Sequence, residues 1–317
     1  MRRWLLALGL CLLGTGAFGQ GYPTKPIKIV VPFSAGSGVD IVARTVAEQL
    51  QSQLGQPVVI ENRVGAGGTI GINSVAKAEA DGYTLLIQSN SFAVAAVAYS
   101  NPGYDSIKDF AHITALVRLP NVLVVDPKKH KSVKDLVDYA KANPGKMNYA
   151  SAGAGSGAHL NGERFRMATG TQMQHIAYKG GPEALTGVMS GDCDFYFVPL
   201  PPARGPVQAG KLAILAVSGS KRSTALPDVP TTVEAGFPNS DYDFWVGFWA
   251  PAATPKPILD KLHAETMKAL DNPAVKTKLA NVGGDPLLMS PAQFEAFVKK
   301  EIEVNGALVK AAGVKVN

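Results

Sequence analysis

The tetrapeptide Ala-Gly-Ser-Gly occurs twice in this chain, at residues 35–38 and again at residues 154–157. Each copy lies between an extended apolar run and a helical pattern, so both predict a strand, a glycine–serine loop and a helix. The first turn of a helix offers unpaired backbone N–H groups and a partial positive charge, and glycine lets a bound group approach that backbone. The repeat therefore predicts two facing anion sites. The alternative is a chance recurrence of small residues in turns.

Extended apolar runs alternate with helical patterns along the chain, which predicts an α/β fold with helices on the faces of a parallel or mixed sheet. The predicted strands cover residues 27–31, 58–61, 83–88, 121–125, 148–151, 174–178 and 194–198. The predicted helices cover residues 39–54, 69–78, 133–142, 158–167, 182–190, 256–270 and 291–312. The second βα series echoes the first, so we expect two lobes of related architecture. Ligands collect outside the carboxyl ends of strands in such sheets, which makes the cleft between the lobes the expected site.

The N-terminus has the composition of a removable secretory signal. Arg2 and Arg3 precede a short apolar stretch, and Ala17 and Gly19 have the spacing that a leader peptidase prefers. We therefore expect residues 1–19 to be removed, and the mature protein to be exported without direct insertion into the membrane.

Composition favours a compact globular protein with a slight preference for anionic small ligands. The chain has 46% hydrophobic residues, 18% charged residues and a formal net charge of +6. Nucleic acid is a poor partner, because the lysines are scattered in short groups without an aromatic stacking pattern. Loss of Cys11 with the leader leaves Cys193 alone, so no intramolecular disulfide can form. The histidines other than His159 are isolated in sequence, so we expect no metal site and no cofactor. They are His112, His130, His175 and His263.

Two enzyme classes have partial signals in the same loops. Gly36 and Gly38 after a strand resemble the start of a dinucleotide phosphate loop, but Ile41 occupies the position of the third glycine. Ser156 lies one position away from the centre of a nucleophile elbow, and nothing nearby supplies an obvious base. An exported hydrolase stays only as a remote alternative.

Ordered blocks along the whole mature chain carry a family resemblance. They include Val31-Pro32-Phe33 with Gly36 and Asp40, Glu61-Asn62-Arg63 with residues 65–68, Asp81-Gly82-Tyr83-Thr84, Tyr149-Ala150-Ser151 with His159-Leu160, Tyr178-Lys179-Gly180, Ala225-Leu226-Pro227-Asp228 and Glu234-Ala235-Gly236. In these blocks the chain resembles the solute receptors of tripartite tricarboxylate transporters, the Bug receptors. Each block alone is a weak signal, and their order makes the combined signal strong.

The resemblance implies an α/β, two-lobed periplasmic binding protein of the type II-like, Venus flytrap kind, without catalytic activity. Lobe 1 would comprise residues 20–121 and 246–317, and lobe 2 residues 122–245, with two crossover segments between them. The lobes would close around a small di- or tricarboxylate or an aromatic dicarboxylate. The loaded receptor, a monomer in the periplasm, would deliver it to the permease subunits of a tripartite tricarboxylate transporter. A receptor that signals to a sensor kinase is the alternative.

The resemblance also carries the two glycine-rich loops over as the ligand site. Phe33 would cover the ligand, while the serine and glycine of each loop would donate hydrogen bonds from opposite lobes. The predicted ligand-binding residues are Phe33, Ser34, Ala35, Ser37, Gly38, Asp40, Ser89, Asn90, Ser151, Ala152, Ser156, Gly157, His159, Val198 and Arg204.

Several of these residues have a structural interpretation beside the functional one. Asp40 either caps and pins its own loop or contacts a ligand hydroxyl, amino group or water. His159, at the matching point of the second loop, either donates to an anion or caps its helix. Ser89 and Asn90 either donate to the ligand or only cap a turn.

One wall of the expected cleft departs from the family pattern. Val198 and Pro199 stand where many relatives have an Asp-Asn pair, and Arg204 stands where an apolar residue is more usual. A second ligand carboxylate would suit the planar fork of Arg204, whereas the alternative is a solvent-facing side chain after a proline turn. An aromatic cluster near the second crossover either packs in the core or stacks on an aromatic acid; it comprises Phe244, Trp245, Phe248 and Trp249.

Overall fold

A computed structural model describes residues 21–316 of the 317-residue chain. The predicted leader, residues 1–19, lies outside the described residues. Within residues 21–316, none of the helices has both the length and the apolar character needed to cross a membrane.

Strands and helices alternate along most of the chain. The strands are β1 (Ile27–Val31), β2 (Val58–Asn62), β3 (Thr84–Ser89), β4 (Phe110–Leu119), β5 (Asn121–Val125), β6 (Met147–Ser151), β7 (Met173–Ala177), β8 (Phe195–Pro199), β9 (Ala213–Val217), β10 (Phe244–Pro251) and β11 (Asp285–Pro286). The helices are α1 (Gly38–Leu54), α2 (Thr69–Ala76), α3 (Ser91–Ala98), α4 (Val133–Ala142), α5 (Gly157–Thr169), α6 (Gly181–Ser190), α7 (Leu200–Gln208), α8 (Lys256–Asp271), α9 (Pro273–Asn281) and α10 (Pro291–Ala312).

The strands form two separate mixed sheets. The first sheet has the order β11-β4-β10-β3-β1-β2, and the second has the order β7-β6-β8-β5-β9. In the first sheet β1 runs parallel to β2 and β3, whereas β10 is antiparallel to both β3 and β4. In the second sheet β6 is parallel to β7 and β8, and β5 is antiparallel to β8 and β9. The predicted α/β fold class is confirmed.

The chain passes between the two sheets at two places. Pro120 alone separates β4 of the first sheet from β5 of the second, and residues 218–243 lead from β9 back to β10. Both connections lie close to the predicted lobe limits at residues 121 and 245, which stay a prediction. Since the two glycine–serine loops follow β1 and β6, each lobe contributes one of them at the carboxyl end of a parallel strand.

Three helices and four strands have no counterpart among the predicted elements: α3, α7, α9, β4, β9, β10 and β11. Helix α3 is missed because its sequence, SFAVAAVA, is apolar on all sides and has no amphipathic period. Helix α7 is missed because Pro201 and Pro202 suggest a turn, although proline is well tolerated in the first turn of a helix. The segment after β8 is therefore a helix rather than a proline turn.

Candidate functional site

The first glycine–serine loop is held by the start of its own helix. Ser37 caps α1, its Oγ accepting the N–H of Asp40 at 3.3 Å. The buried carboxylate of Asp40 accepts the N–H of Gly36, the Nε–H of Arg44 and the amide of Asn62 at 2.8–2.9 Å. Burial alone would raise the pKa of Asp40, but these hydrogen bonds outweigh burial and keep the pKa below its usual value. Asp40 therefore fixes the loop rather than facing the cleft.

The second loop repeats this framework with a different side chain. Ser156 caps α5, its Oγ accepting the N–H of His159 at 3.2 Å, and His159 Nδ1 accepts the N–H of Gly155 at 3.2 Å. The ring of His159 stacks on that of His175 at 3.8 Å, and His175 Nε2 is hydrogen-bonded to Ser151 Oγ at 2.6 Å. His159 and Ser151 thus support the loop through these contacts.

The two loops face each other across one narrow cavity of about 40 Å³ between the lobes. Seven of the predicted site residues line this cavity: Phe33, Ser37, Gly38, Ser89, Ala152, Ser156 and Val198. Nine further lining residues were not predicted: Val39, Ser91, Asn121, Ala158, Gly181, Tyr196, Pro199, Pro202 and Phe244. Gly181 and Pro202 lie in the first turns of α6 and α7. Each of these helices begins near the end of a strand, which is the same sequence signal that identified the two loops.

Hydrogen bonds and close contacts join the two lobes around the cavity. The N–H of Gly157 donates to Ser91 Oγ at 2.9 Å, and Ser34 Oγ donates to the carboxylate of Glu183 at 3.0 Å. Asn90 packs against Gly157, so closely that a Cβ on that glycine would lie 2.4 Å from Asn90 Oδ1. Gly157, Ser34 and Asn90 therefore lie at the contact between lobes rather than in the cavity lining, and the structure is that of a closed cleft.

Two of the predicted site residues lie apart from the cavity. Ala35 is exposed at the tip of its loop. Arg204 is half-buried on α7 and is not part of the cavity lining. None of the residues that line the cavity within residues 21–316 carries a formal charge, so Arg204 contributes no guanidinium to this lining.

The aromatic cluster near the second crossover belongs to the core. Trp245, Phe248 and Trp249 are fully buried, and the ring of Trp249 stacks on Phe92 at 4.3 Å. Phe244 alone of the four lines the cavity, where Phe33 and Tyr196 are the other aromatic residues of the lining.

Main-chain donors and neutral side chains define what this cavity can bind. The N–H groups of Gly38, Val39 and Ala158, in the first turns of α1 and α5, have no acceptor within residues 21–316. Asn121 lines the cavity, and its buried Oδ1 has no hydrogen-bond partner. Unpaired N–H groups at two helix starts favour an anion. Among the described residues no group of three His, Cys, Asp or Glu side chains could hold a metal ion.

Known proteins resemble the chain over nearly its full length. Residues 42–314 match the family described as tripartite tricarboxylate transporter family receptor. The protein BugT of Bordetella pertussis is 35% identical over 322 aligned residues, which cover 99% of each protein. A Rhodopseudomonas palustris protein solved with adipate has a TM-score of 0.89 and 33% identity, covering 93% of this chain and 99% of that one. MatC of the same species, solved with bound malate, has a TM-score of 0.86 and 30% identity, and the match covers 91% of this chain and 100% of MatC.

Proposed function

Because the chain belongs to the tripartite tricarboxylate transporter receptor family, we propose that it captures a small dicarboxylate between its lobes and delivers it to the permease of such a transporter. The family consists of periplasmic solute-binding receptors and not of enzymes, and the two-lobed fold and the carboxylate class of ligand belong to it. The identity of the acid and its delivery to a permease are the parts we propose.

The observation that carries the proposal is the pair of facing helix starts. Gly38 and Val39 line the cavity from lobe 1 and Ala158 lines it from lobe 2, and the N–H groups of all three have no acceptor within residues 21–316. Each charge-assisted hydrogen bond contributes about 1.5–3 kcal/mol, and each helix end about 0.3–2 kcal/mol. Several of these together reach the roughly −8 kcal/mol of a micromolar site without any cationic side chain.

Two observations favour a dicarboxylate with an aliphatic body. Relatives of this fold were solved with adipate and with malate. Main-chain donors from two lobes can each take one carboxylate end, and Phe33, Phe244 and Val198 offer apolar surface between them. We assign the aliphatic part of the acid to these side chains.

Lobe closure is the proposed mechanism. A cavity of about 40 Å³ holds only a few waters, since one water needs roughly 10–15 Å³ measured in the same way, so a diacid enters only after the lobes separate. The hydrogen bond from Gly157 to Ser91 then opens, and ligand oxygens take over its donor. The closed state is favoured by contacts that the open state cannot make with the ligand.

Isothermal titration calorimetry over a panel of acids tests the ligand class. The panel comprises adipate, malate, citrate, phthalate, glutamate and, as a monocarboxylate control, hexanoate. We expect at least one aliphatic dicarboxylate to bind with about micromolar affinity and hexanoate to bind at least tenfold more weakly. Equal affinity for hexanoate and adipate would contradict the dicarboxylate assignment, and no binding by any acid would overturn the proposed function.

Delivery to a permease is tested in the cell. A strain lacking this receptor should lose uptake of the radiolabelled acid that binds in calorimetry, while induction of genes by that acid persists. Normal uptake with lost induction would instead identify a receptor for a sensor kinase. For this role we propose a monomer in the periplasm, formed after removal of residues 1–19, with lobes at residues 20–121 plus 246–317 and at 122–245.

A further inference from the structure

The two loops share one framework but differ in the group that holds it. In each loop the residue three positions after the capping serine uses its side chain to accept an N–H from four positions earlier. Asp40 accepts from Gly36 at 2.9 Å in lobe 1, and His159 accepts from Gly155 at 3.2 Å in lobe 2. A carboxylate accepts hydrogen bonds throughout the neutral range, whereas an imidazole nitrogen accepts only while it carries no proton.

The surroundings of His159 favour its neutral form. Its Nδ1 accepts from Gly155, which assigns the ring proton to Nε2. The residue lies in the first turn of α5, where the helix dipole opposes a positive charge. Burial lowers the pKa of His159, against a smaller opposing effect of Glu163.

Titratable and charged groups face the His159 ring from every element packed against it. His175 on β7 stacks on it at 3.8 Å, and Tyr149 on β6 stacks at 6.4 Å. The carboxylate of Glu163, on α5 itself, is already bonded to Tyr149 and to Arg166 at 2.7 Å. His159, Glu163, Arg166 and His175 border a cavity of about 480 Å³, together with Lys315 of the C-terminal segment, and this cavity shares no lining residue with the ligand cavity.

Gly155 is the point through which His159 controls the ligand site. Its φ of 70° is in the left-handed region, and the ring of Tyr99 from lobe 1 covers it so closely that a Cβ would lie 2.4 Å from Tyr99 Cε2. The next residues of the loop are Ser156, which caps α5 and lines the ligand cavity, and Gly157 and Ala158, whose N–H groups are the donors at the start of that helix. A loop that loses the Gly155 hydrogen bond therefore loses the position of these donors.

We propose that His159 is a positioning residue that holds the second loop only as a neutral imidazole, so that acid weakens carboxylate binding through lobe 2 while Asp40 keeps the lobe 1 loop in place. The proposal rests on the proposed function, because the quantity that changes is affinity for the acid. Protonation of His159 would turn its Nδ1 from an acceptor into a donor facing the N–H of Gly155.

Nuclear magnetic resonance tests the tautomer and the coupling without any ligand. The ¹⁵N shifts of His159 in the ligand-free protein at pH 8 should show a proton on Nε2 and a bare, hydrogen-bonded Nδ1. On acidification the amide proton of Gly155 should shift with the same midpoint as the His159 ring, whereas that of Gly36 should not follow it. A proton on Nδ1 at pH 8, or a Gly155 amide that ignores the titration of His159, would overturn the proposal.

Two variants and a matched control test the effect on binding, with adipate and malate as probes. His159→Asn keeps a neutral acceptor, and Asp40 shows that a side chain of that length reaches the matching N–H in lobe 1. We expect His159→Asn to bind within about threefold of wild type at pH 8, and His159→Ala to bind about tenfold more weakly, the loss of one buried hydrogen bond. His130→Asn replaces another buried lobe 2 histidine that does not contact the loop, and should match wild type.

The pH profile separates positioning from a general structural role. As the pH falls from 8 through the midpoint of the His159 titration, which lies below the usual value of 6.5, wild type and His130→Asn should weaken relative to His159→Asn, and well below that midpoint the difference should approach about tenfold. Protonation of the acid affects all three proteins alike, so the difference between them carries the test. Equal profiles, or tighter binding by wild type in acid, would contradict the positioning role while leaving the proposed function intact; failure of both acids to bind at pH 8 would instead contradict the proposed function, and the ligand-free resonance test would still decide the role of His159.

Discussion

The titratable side chains that the sequence proposed for the site do not line the cavity. Asp40 accepts hydrogen bonds from three donors of its own lobe, and His159 accepts one from a backbone N–H. Arg204 is half-buried on α7 outside the cavity lining. On the proposed function, the ligand charge is therefore met by main-chain N–H groups.

Arg204→Ala provides the residue-scale prediction. Because Arg204 does not line the cavity, we expect the affinity for adipate and for hexanoate to change by less than about twofold, the range of a screened, distant charge. Calorimetry on wild type and variant measures both. A selective loss of dicarboxylate affinity would show that Arg204 reaches the ligand, the role that the sequence suggested for it.

At the scale of secondary-structure elements, the two helix starts of the proposed anion site also form contacts between the lobes. A Cβ on Gly38 would lie 2.7 Å from Pro199 Cβ, and a Cβ on Gly157 would lie 2.4 Å from Asn90 Oδ1. Real Cβ atoms do not tolerate such distances. Both positions need glycine because the opposite lobe approaches them in the closed state.

Gly38→Val and Gly157→Val should each weaken binding of the acid by about tenfold or more, since the variants obstruct closure and thereby the ligand contacts that need it. Because the obstruction lies between the lobes, thermal stability without ligand should change little. Calorimetry and thermal unfolding measure the two effects.

A glycine on the same class of element provides the control for these variants. Gly205 lies in α7, and a Cβ there would meet nothing within 4 Å. Gly205→Ala should therefore keep wild-type affinity, and its stability should stay equal or rise by up to about 1 kcal/mol, the gain of alanine over glycine within a helix. Native affinity in both valine variants would count against the two-loop site.

At the scale of the whole molecule, buried neutral histidines make stability depend on pH. Burial lowers the pKa of His112 to about 4 and that of His175 to about 3. In the unfolded chain both titrate near 6.5. Their contribution is thus complete above about pH 6.5 and is lost as the pH falls below it, because the unfolded chain then binds more protons.

The free energy of unfolding should fall between pH 7.5 and pH 5 by roughly 2 kcal/mol for each of these two histidines. Urea denaturation at both pH values, without ligand, measures the change. His112→Gln should make the fall in the free energy of unfolding between the two pH values smaller by roughly 2 kcal/mol, the contribution of that one histidine, whatever its effect on stability at pH 7.5. A free energy of unfolding that stays constant over this range would contradict neutral burial.

Local chemistry made much of the fold predictable. Strand β1 and helix α1 follow from an apolar β-branched run, a capping Ser37 and the C-terminal Gly55, whose φ of 66° ends the helix. The same signals recur at α5 with Ser156 and Gly170. Helix α3 escaped prediction because burial on every side leaves no periodic pattern in its sequence.

By itself, the sequence determined the fold class, the two loops and the helix starts that follow them, because capping and turn formation depend on neighbouring residues. The tertiary structure decided which side chains of those loops reach the cavity. In the folded protein the side chains of Asp40 and His159 bond to their own loops, and Ser91, Asn121 and Phe244 reach the cavity from distant segments. Contacts between lobes depend on the orientation of two sheets, and no local pattern along the chain encodes that orientation.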